Sequence, residues 1–344
     1  MRIEEIGEFG LIEKIASMLR ARSPEVLKGI GDDAAVIDLG NGRALILTID
    51  TLVEGVHFLK GACPARSIGY KSMAVNVSDV AAMGAEPRYG VVSISIPAGT
   101  EVELIEEIYR GIEEMASEVG VSVVGGDTTR SPGPLFISIA LLGICPVDEV
   151  AGRSGAKAGD LIGVTGTLGD SAAGLELILK GGVKGLKQED AEYLLSRHLT
   201  PKPRVTAARE LASRRLVSSM IDVSDGLSSE VNHICRMSGV GALIEAERIP
   251  ISDQLRRFCE LTGRSALDLA LNGGEDYELL FTFREERLAE IEEVFERLDL
   301  RLSIIGRITP PGEGVSVEIE GEKRPLLPGG FDHWGEGGES PRPA

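Results

Sequence analysis

Apolar runs that end on aspartate recur along this chain and constrain its fold more than any other feature. In residues 121–129, a run of valines leads into Gly125-Gly126 and then Asp127. β-Branched residues favour a pleated, buried strand, and a glycine pair lets the backbone turn tightly and approach a ligand. The pattern predicts a buried strand that holds Asp127 at its tip, where a site can form.

The same arrangement occurs elsewhere. Asp50 ends an apolar run, Asp222 and Asp225 end another, and Asp32 follows a glycine loop, with Asp33 beside it. A further acid, Asp79, lies inside a predicted helix rich in small residues.

Gathering these acids in one place would have a physical consequence. Two carboxylates about 4 Å apart repel by about 4 kcal/mol at an effective dielectric constant near 20, so a cluster needs protons or a metal ion. A donor set made of oxygen suits Mg²⁺, Mn²⁺ or Ca²⁺. The alternative is that each aspartate is an ordinary cap or turn residue on a separate surface.

The composition limits the class of protein. A length of 344 residues suits two domains, and an apolar content of 43% is enough for two cores. The formal net charge of -18 argues against partners such as nucleic acid or an anionic membrane. A phosphorylated ligand would have to bind together with cations.

Cysteine usage and the chain start bear on the compartment. The four cysteines are scattered without a C-x-x-C pair, which indicates reduced thiols. No secretory signal is visible after Met1, and no apolar run approaches the ~20 residues of a membrane span. We therefore expect a cytoplasmic protein.

The periodicity predicts an α+β fold with two domains. In the first half, helices over residues 65–83 and 100–119 cover one sheet, and Thr100 and Glu103 form a predicted capping box. The second half alternates helices and strands in an α+β sandwich. The predicted domains are an N-terminal domain at 1–148 and a C-terminal domain at 149–334, followed by a flexible tail at 335–344.

Several polar residues have two interpretations from local sequence. The glycine loops at 29–31, 125–126 and 166–174 could present amides to phosphate, although none matches a P-loop or a dinucleotide fingerprint. His57 is either a ligand contact or a structural histidine, and Arg153 either meets phosphate or is solvated linker charge. Glu275 follows a Gly-Gly turn that does not by itself explain the acids and the aromatic residue after it.

Taken in their order along the chain, the sequence motifs resemble those of the thiamine-monophosphate kinase family, which belongs to the ATP-binding superfamily of aminoimidazole ribonucleotide synthetase-like proteins. The resemblance covers about residues 5–334. It is carried by residues 29–35, 50–53 with 57–58, 74–84, 125–129, 153–156, 221–227, 273–279 and 331–334.

The resemblance implies the reaction of ATP with thiamine monophosphate to give ADP and thiamine diphosphate, within homodimers formed by the first halves of two chains. It implies several Mg²⁺ ions and assigns no catalytic side chain. The implied metal ligands are Asp32, Thr48, Asp50, Asp79, Asp127, Asp222 and Asp225. The implied ATP contacts are Tyr109, Gly126, Asp127, Arg153 and Ser224, and the implied substrate contacts are His57, Glu275 and Trp334.

One position departs from the family pattern. Relatives usually carry Ser or Thr just before the Asp50 position, and this chain has Ile49. A metal contact at Ile49 would have to use the backbone oxygen or be lost.

The chemistry fits a chain with few histidines. The acceptor is a phosphate oxygen that is already anionic near neutral pH, so no general base is needed, and catalysis reduces to charge shielding and in-line positioning.

Two alternatives stay open. One is a sister enzyme of the same fold. A selenophosphate synthetase would need a reactive cysteine near the first glycine loop, and no cysteine precedes Cys63; the hydrogenase maturation relative would end in a modified cysteine, and this chain ends on Ala344. The purine enzyme remains conceivable, although the residues before the tail do not suit it. The other is a non-catalytic binder of divalent cations.

Overall fold

The computed structural model describes residues 2–19 and 22–330, and its strands form two sheets. Trp334 and the predicted tail at 335–344 lie outside these residues. The helices are α1 (Gly7–Met18), α2 (Ala65–Ala82), α3 (Val102–Val119), α4 (Asp170–Lys180), α5 (Gln188–Leu199), α6 (Val205–Ser213), α7 (Leu227–Ser238), α8 (Asp253–Thr262), α9 (Ala266–Asn272) and α10 (Leu288–Arg297). The strands are β1 (Val26–Lys28), β2 (Ala35–Asp38), β3 (Arg43–Val53), β4 (Glu86–Pro97), β5 (Ser122–Ser131), β6 (Phe136–Pro146), β7 (Leu161–Thr165), β8 (Ser219–Asp222), β9 (Gly241–Glu245), β10 (Leu279–Phe283), β11 (Leu302–Thr309), β12 (Val315–Ile319) and β13 (Glu322–Pro325).

The first sheet has six strands in the order β1-β2-β3-β6-β4-β5. Only β4 and β5 pair in parallel. Alternate residues of β3, β4 and β6 are buried, such as Ile46, Val92 and Ile139. This alternation is typical of a sheet with one face against a core and one face open, and the core side is covered by α2 and α3.

The two helices approach closely at glycines. A Cβ atom at Gly69 would lie 1.8 Å from the carbonyl oxygen of Ile108, and one at Gly111 would lie 1.8 Å from that of Arg66. The small residues of α2 therefore serve its crossing with α3 as well as its contact with the sheet.

The second sheet has seven strands in the order β13-β12-β9-β11-β7-β10-β8. Its strands pair antiparallel except β9 with β12. Helices α4 to α10 surround it, so the chain has the predicted mixed α+β class with two sheets.

Helix α2 lies where the two halves meet. It is buried along nearly its whole length, and Ala81 and Ala82 pack in the cluster that contains Leu211 of α6 and Met220 of β8. A helix that is buried all round is typical of the centre of a protein, and this position lets α2 carry side chains to both halves. None of the helices in the described ranges has the length and apolar character needed to span a bilayer.

Several sequence predictions are wrong in detail. The predicted capping box does not form: Glu101 is the N-cap residue of α3, without a side-chain cap, and Thr100 Oγ1 donates to the Pro97 carbonyl. Asp50 lies inside β3 and not at its end. The short elements β12, β13 and α9 carried too little periodicity to be predicted.

Gly125 and Gly126 do not form a turn. Strand β5 runs through Gly125-Gly126 and Asp127, and a bulge leaves Val124 without a partner in β4. Instead of being buried, β5 is an exposed edge strand, with Val124 62% exposed. Gly126 is required by the close approach of β4, because a Cβ atom there would lie 2.0 Å from the Val92 carbonyl oxygen.

Candidate active site

Three aspartates from distant parts of the chain meet at the centre of the molecule. Asp33 follows the glycine loop after β1, Asp79 lies on α2, and Asp222 ends β8. One carboxylate oxygen of each lies within 4.8 Å of the others. Two of the predicted ligands, Asp79 and Asp222, therefore meet, although the third member of the group is Asp33, which was not among the predicted ligands.

Strand β3 adds oxygen donors to this cluster. Thr48 and Asp50 are two residues apart, so their side chains share the core face of the sheet. Thr48 Oγ1 donates to Asp79 Oδ2 at 2.6 Å, and the Asp50 amide donates to Asn76 Oδ1 at 3.0 Å. Ile49 points to the opposite face and is 65% exposed, so its side chain is not part of the cluster.

Burial dominates the electrostatics of these acids. It raises the pKa of Asp222 and of Asp50 to about 6 and that of Asp79 well above its usual value. Neighbouring carboxylates raise the pKa values further, whereas hydrogen bonds such as that from Ser78 to Asp222 oppose the shift. Acids whose pKa values are raised by burial and by one another are stabilised in their charged form by a divalent cation.

The positive charges of Arg153 and Lys28 partly neutralise the carboxylates of Asp32 and Asp33. The Arg153 guanidinium donates to Asp33 Oδ1 at 2.5 and 3.0 Å, and its backbone amide donates to Asp32 Oδ1 at 3.1 Å. Lys28 Nζ lies 2.7 Å from Asp32 Oδ2. Asp32 thus adjoins the cluster, and Arg153 is a partly buried partner of Asp33 and not solvated linker charge.

The loop after β8 supplies a further acidic group. Asp225 borders the cavity described below, and burial raises its pKa to about 7. Behind it, Glu230 Oε1 accepts hydrogen bonds from the Asp225 amide at 2.9 Å and from Ser224 Oγ at 3.4 Å. Glu230 is buried, and its pKa is raised well above the usual value, first by burial and then by Asp225.

A cavity of about 440 Å³ opens beside the cluster, a size typical of small-molecule sites. Its polar lining includes Asp50, Asp79 and Asp225, which join it to the acids. Its other lining residues are Glu8, Thr51, Leu52, Gly55, Val56, His57, Phe58, Leu59, Cys63, Lys71, Val75, Leu175, Ile178, Leu179, His198, Ser224, Gly273, Gly274, Glu275 and Tyr277.

Glu275 forms the other polar part of the cavity. Its Oε1 lies 2.6 Å from Lys71 Nζ, and its Oε2 lies 3.3 Å from His198 Nδ1. Burial alone would raise the pKa of Glu275, but Lys71, His198 and His57 together outweigh it, and the pKa lies below its usual value. Burial and Lys71 lower the pKa of His198 to about 4, so this imidazole is neutral at pH 7. His57 lies nearby, and its Nδ1 accepts from the Val53 amide at 3.0 Å.

Among the predicted residues, Gly126, Asp127 and Tyr109 lie apart from both the cavity and the acid cluster. Gly126 and Asp127 are on edge strand β5, and Tyr109 is on α3. Asp127 pairs with Ser93 on the open face of the sheet, opposite to the face that carries Asp50. The expectation that one chain gathers all six aspartates in one pocket is therefore wrong for Asp127, while its role as a ligand stays a prediction. Trp334 lies outside the described residues.

Sequence reasoning missed Lys71, Glu230 and His198. Lys71 had a usable signal, because it lies eight residues before Asp79 and so two turns along the same face of α2. Glu230 and His198 had none, since each belongs to a helix whose orientation only the tertiary structure reveals.

Family models, curated relatives and solved structures all match this chain over most of its length. The family model described as AIR synthase related protein, N-terminal domain, matches residues 31–145, and the corresponding C-terminal domain model matches residues 157–318. The chain is 40% identical over 328 residues to the thiamine-monophosphate kinase of Escherichia coli, covering 95% of this chain and 98% of the relative. It is 37% identical over 338 residues to that of Aquifex aeolicus, covering 97% and 100%. It is also similar to a solved structure of AaThiL complexed with AMPPCP and TMP, with a TM-score of 0.85, 37% identity and coverage of 97% and 99%.

Proposed function

Since the chain belongs to the thiamine-monophosphate kinase family, we propose that it transfers the γ-phosphoryl group of ATP to thiamine monophosphate. An oxygen of the acceptor phosphate bonds to the γ-phosphorus, the bond from that phosphorus to ADP breaks, and thiamine diphosphate forms. The observation that carries the proposal for this chain is the cluster of Asp33, Asp79 and Asp222 within 4.8 Å at the edge of a cavity.

Magnesium is the metal that this donor set suits best. The cluster offers buried carboxylate and hydroxyl oxygens, and carboxylate oxygens together with substrate phosphates are the usual ligands of Mg²⁺. Bound Mg²⁺ ions would shield the negative charge that keeps two polyphosphates apart. The proposed ligands are Asp32, Asp33, Thr48, the backbone oxygen of Ile49, Asp50, Asp79, Asp127, Asp222 and Asp225.

The remaining site residues have roles in binding and orientation. We propose nucleotide contacts for Tyr109, Gly126, Asp127, Arg153 and Ser224, and acceptor contacts for His57, Glu275 and Trp334. No side chain needs to remove a proton from the acceptor, because its phosphate is already anionic. The neutral state of His198 and the internal hydrogen bond of His57 agree with a site that works by positioning.

A homodimer formed by the first sheet is part of the proposal. The open face of that sheet exposes large apolar side chains, and edge strand β5 borders it. Exposed apolar patches of this kind mark interaction surfaces. The exposed apolar side chains are Leu47, Ile49, Tyr89, Val91 and Val124. In a dimer Ile49 would be covered, which explains an isoleucine at that position, and Asp127 would lie close to the partner chain.

Two further parts of the proposal concern organisation and compartment. We assign residues 1–148 to the metal-binding and dimer-forming domain and residues 149–334 to the second domain, since each range contains one sheet and its helices. We also assign the protein to the cytoplasm. All four cysteines are free and buried, as expected in a reducing compartment.

The proposal is tested by ADP release from Mg-ATP with three acceptor conditions: thiamine monophosphate, the aminoimidazole precursor of the purine enzyme, and no acceptor. We expect release with thiamine monophosphate alone, and thiamine diphosphate as the second product. Release only with the purine precursor would assign the chain to the sister activity, and absence of release in all three would favour a cation-binding protein.

A further inference from the structure

Lys71 forms an ion pair with Glu275, and no role in the phosphoryl transfer described above has been given to it. Of the described residues that line the cavity, Lys71 is the one Lys or Arg, and its side chain is 5% exposed. An ammonium has three N–H donors, and within the described residues Glu275 is the ion-pair partner of Lys71. Burying a cation is costly unless its donors are satisfied, so a ligand that accepts from Lys71 would complete the site.

The backbone at Glu275 is held in an uncommon conformation. Glu275 has φ +56° and Tyr277 has φ +51°, which non-glycine residues rarely adopt. The Glu275 amide donates to the Ser224 carbonyl at 2.6 Å, and this bond ties the strained segment to the loop after β8. Such strain is concentrated at functional sites. The segment places the Glu275 carboxylate between Lys71 and His198.

The position of Lys71 and Glu275 along the cavity indicates which part of a bound ligand they contact. Lys71, Val75 and Asp79 follow one another at four-residue intervals on α2, and all three line the cavity. Lys71 is therefore about 12 Å from Asp79 along the helix axis. If the phosphates bind at the acids, as the proposed function requires, an extended acceptor directs its far end towards Lys71 and Glu275. In thiamine monophosphate that far end is the aminopyrimidine ring.

The chemistry of that ring matches the pair. An aminopyrimidine displays an amino donor next to a ring-nitrogen acceptor, the adjacency by which proteins read an adenine edge. A carboxylate only accepts and an ammonium only donates. We propose that Glu275 accepts from the amino group while Lys71 donates to the neighbouring ring nitrogen, which makes Lys71 a specificity-determining residue. This inference depends on the proposed function and adds a recognition element to it.

The test compares two acceptors, thiamine monophosphate and oxythiamine monophosphate, in which an oxo group replaces the amino group. The wild-type enzyme should prefer thiamine monophosphate by at least about tenfold in kcat/KM, since a mismatched partner leaves a buried charged group unpaired. In Glu275→Gln the amide can donate to the oxo group, so the preference should fall to about one or reverse. Lys71→Met should also lose preference, mainly through a higher KM for thiamine monophosphate, with the KM for ATP unchanged.

Two further variants serve as controls, one for charge balance at the pair and one for the removal of a lysine elsewhere. Lys71→Met leaves the partly buried Glu275 carboxylate without its ion-pair partner, so the double variant Lys71→Met with Glu275→Gln restores neutrality and should fold while still lacking preference. Lys180→Met removes the lysine of the Lys180–Glu176 pair on the exposed side of α4 and should keep the wild-type preference.

Equal use of the two acceptors by the wild-type enzyme would overturn this inference, and so would a double variant that keeps the wild-type preference. Failure of the proposed function would look different, because the wild-type enzyme would then transfer phosphate to neither acceptor.

Discussion

At the scale of single residues, the centre of the molecule is a group of like charges that the fold itself assembles. Asp33, Asp79 and Asp222 lie within 4.8 Å, and one guanidinium, that of Arg153, pairs with Asp33. The sequence predicted that such acids meet, because Asp33 and Asp222 follow a glycine-rich or apolar run and Asp79 lies on a helix rich in small residues. It could not rank Asp32 against Asp33, since the side-chain directions of adjacent loop residues depend on the partner that each one finds.

The raised pKa values predict how stability depends on pH when no divalent ion is present. Asp222 and Asp50 have pKa values of about 6 in the folded protein, against about 4 in an unfolded chain. The folded state therefore binds protons more tightly, and the free energy of unfolding should fall as pH rises from 5 to 7 in EDTA. Calorimetric unfolding should show this fall and its removal by saturating Mg²⁺. A flat profile in EDTA would contradict the electrostatic account.

At the scale of elements, glycine positions decide how closely the helices and strands approach. The apolar stripe of α3 predicted a helix over nearly its observed range, because its periodicity extends over many residues. The helix start was mispredicted, since Thr100 donates to the preceding turn instead of capping. The Gly125-Gly126 pair was read as a turn, because a sequence cannot distinguish a glycine needed for a turn from one needed where β4 comes close.

The crossing of α2 and α3 can be tested with one methyl group. In Gly111→Ala the new Cβ would lie 1.8 Å from the Arg66 carbonyl oxygen, so the helices must separate. We expect a loss of about 2 kcal/mol in the free energy of unfolding, as for other overpacked sites. Gly133→Ala is the control, because no atom lies within 4 Å of its Cβ position, and it should change little. Equal stability of the two variants in urea unfolding would argue against a tight crossing.

At the scale of the whole molecule, two sheets meet around one buried helix and leave one sheet face open. The sequence predicted two α+β halves because their patterns of helices and strands differ. The open face was not predictable, since the apolar residues that it exposes look like core residues in the sequence. Asp127 lies on the same face as Ile49, so its proposed metal contact depends on the assembly as well as on the chain.

The proposed dimer predicts the effect of a charge on that face. Ile49→Glu should convert the dimer to a monomer, because it would bury a carboxylate without a partner. Leu261→Glu, at a 49% exposed position of α8, is the control and should stay dimeric. Light scattering coupled to size-exclusion chromatography measures both masses. A wild-type monomer, or a dimeric Ile49→Glu variant, would rule out this interface.

The central claim is that acids distant in sequence hold divalent ions between the protein and ATP. Transfer of label from γ-labelled ATP to thiamine monophosphate, measured with Mg²⁺ and with EDTA, tests it most directly in the wild-type enzyme and in Asp79→Asn. We predict labelled thiamine diphosphate only from the wild-type enzyme with Mg²⁺, and a folded variant without measurable transfer. Transfer of label in EDTA, or transfer by Asp79→Asn at the rate of the wild-type enzyme, would contradict this claim.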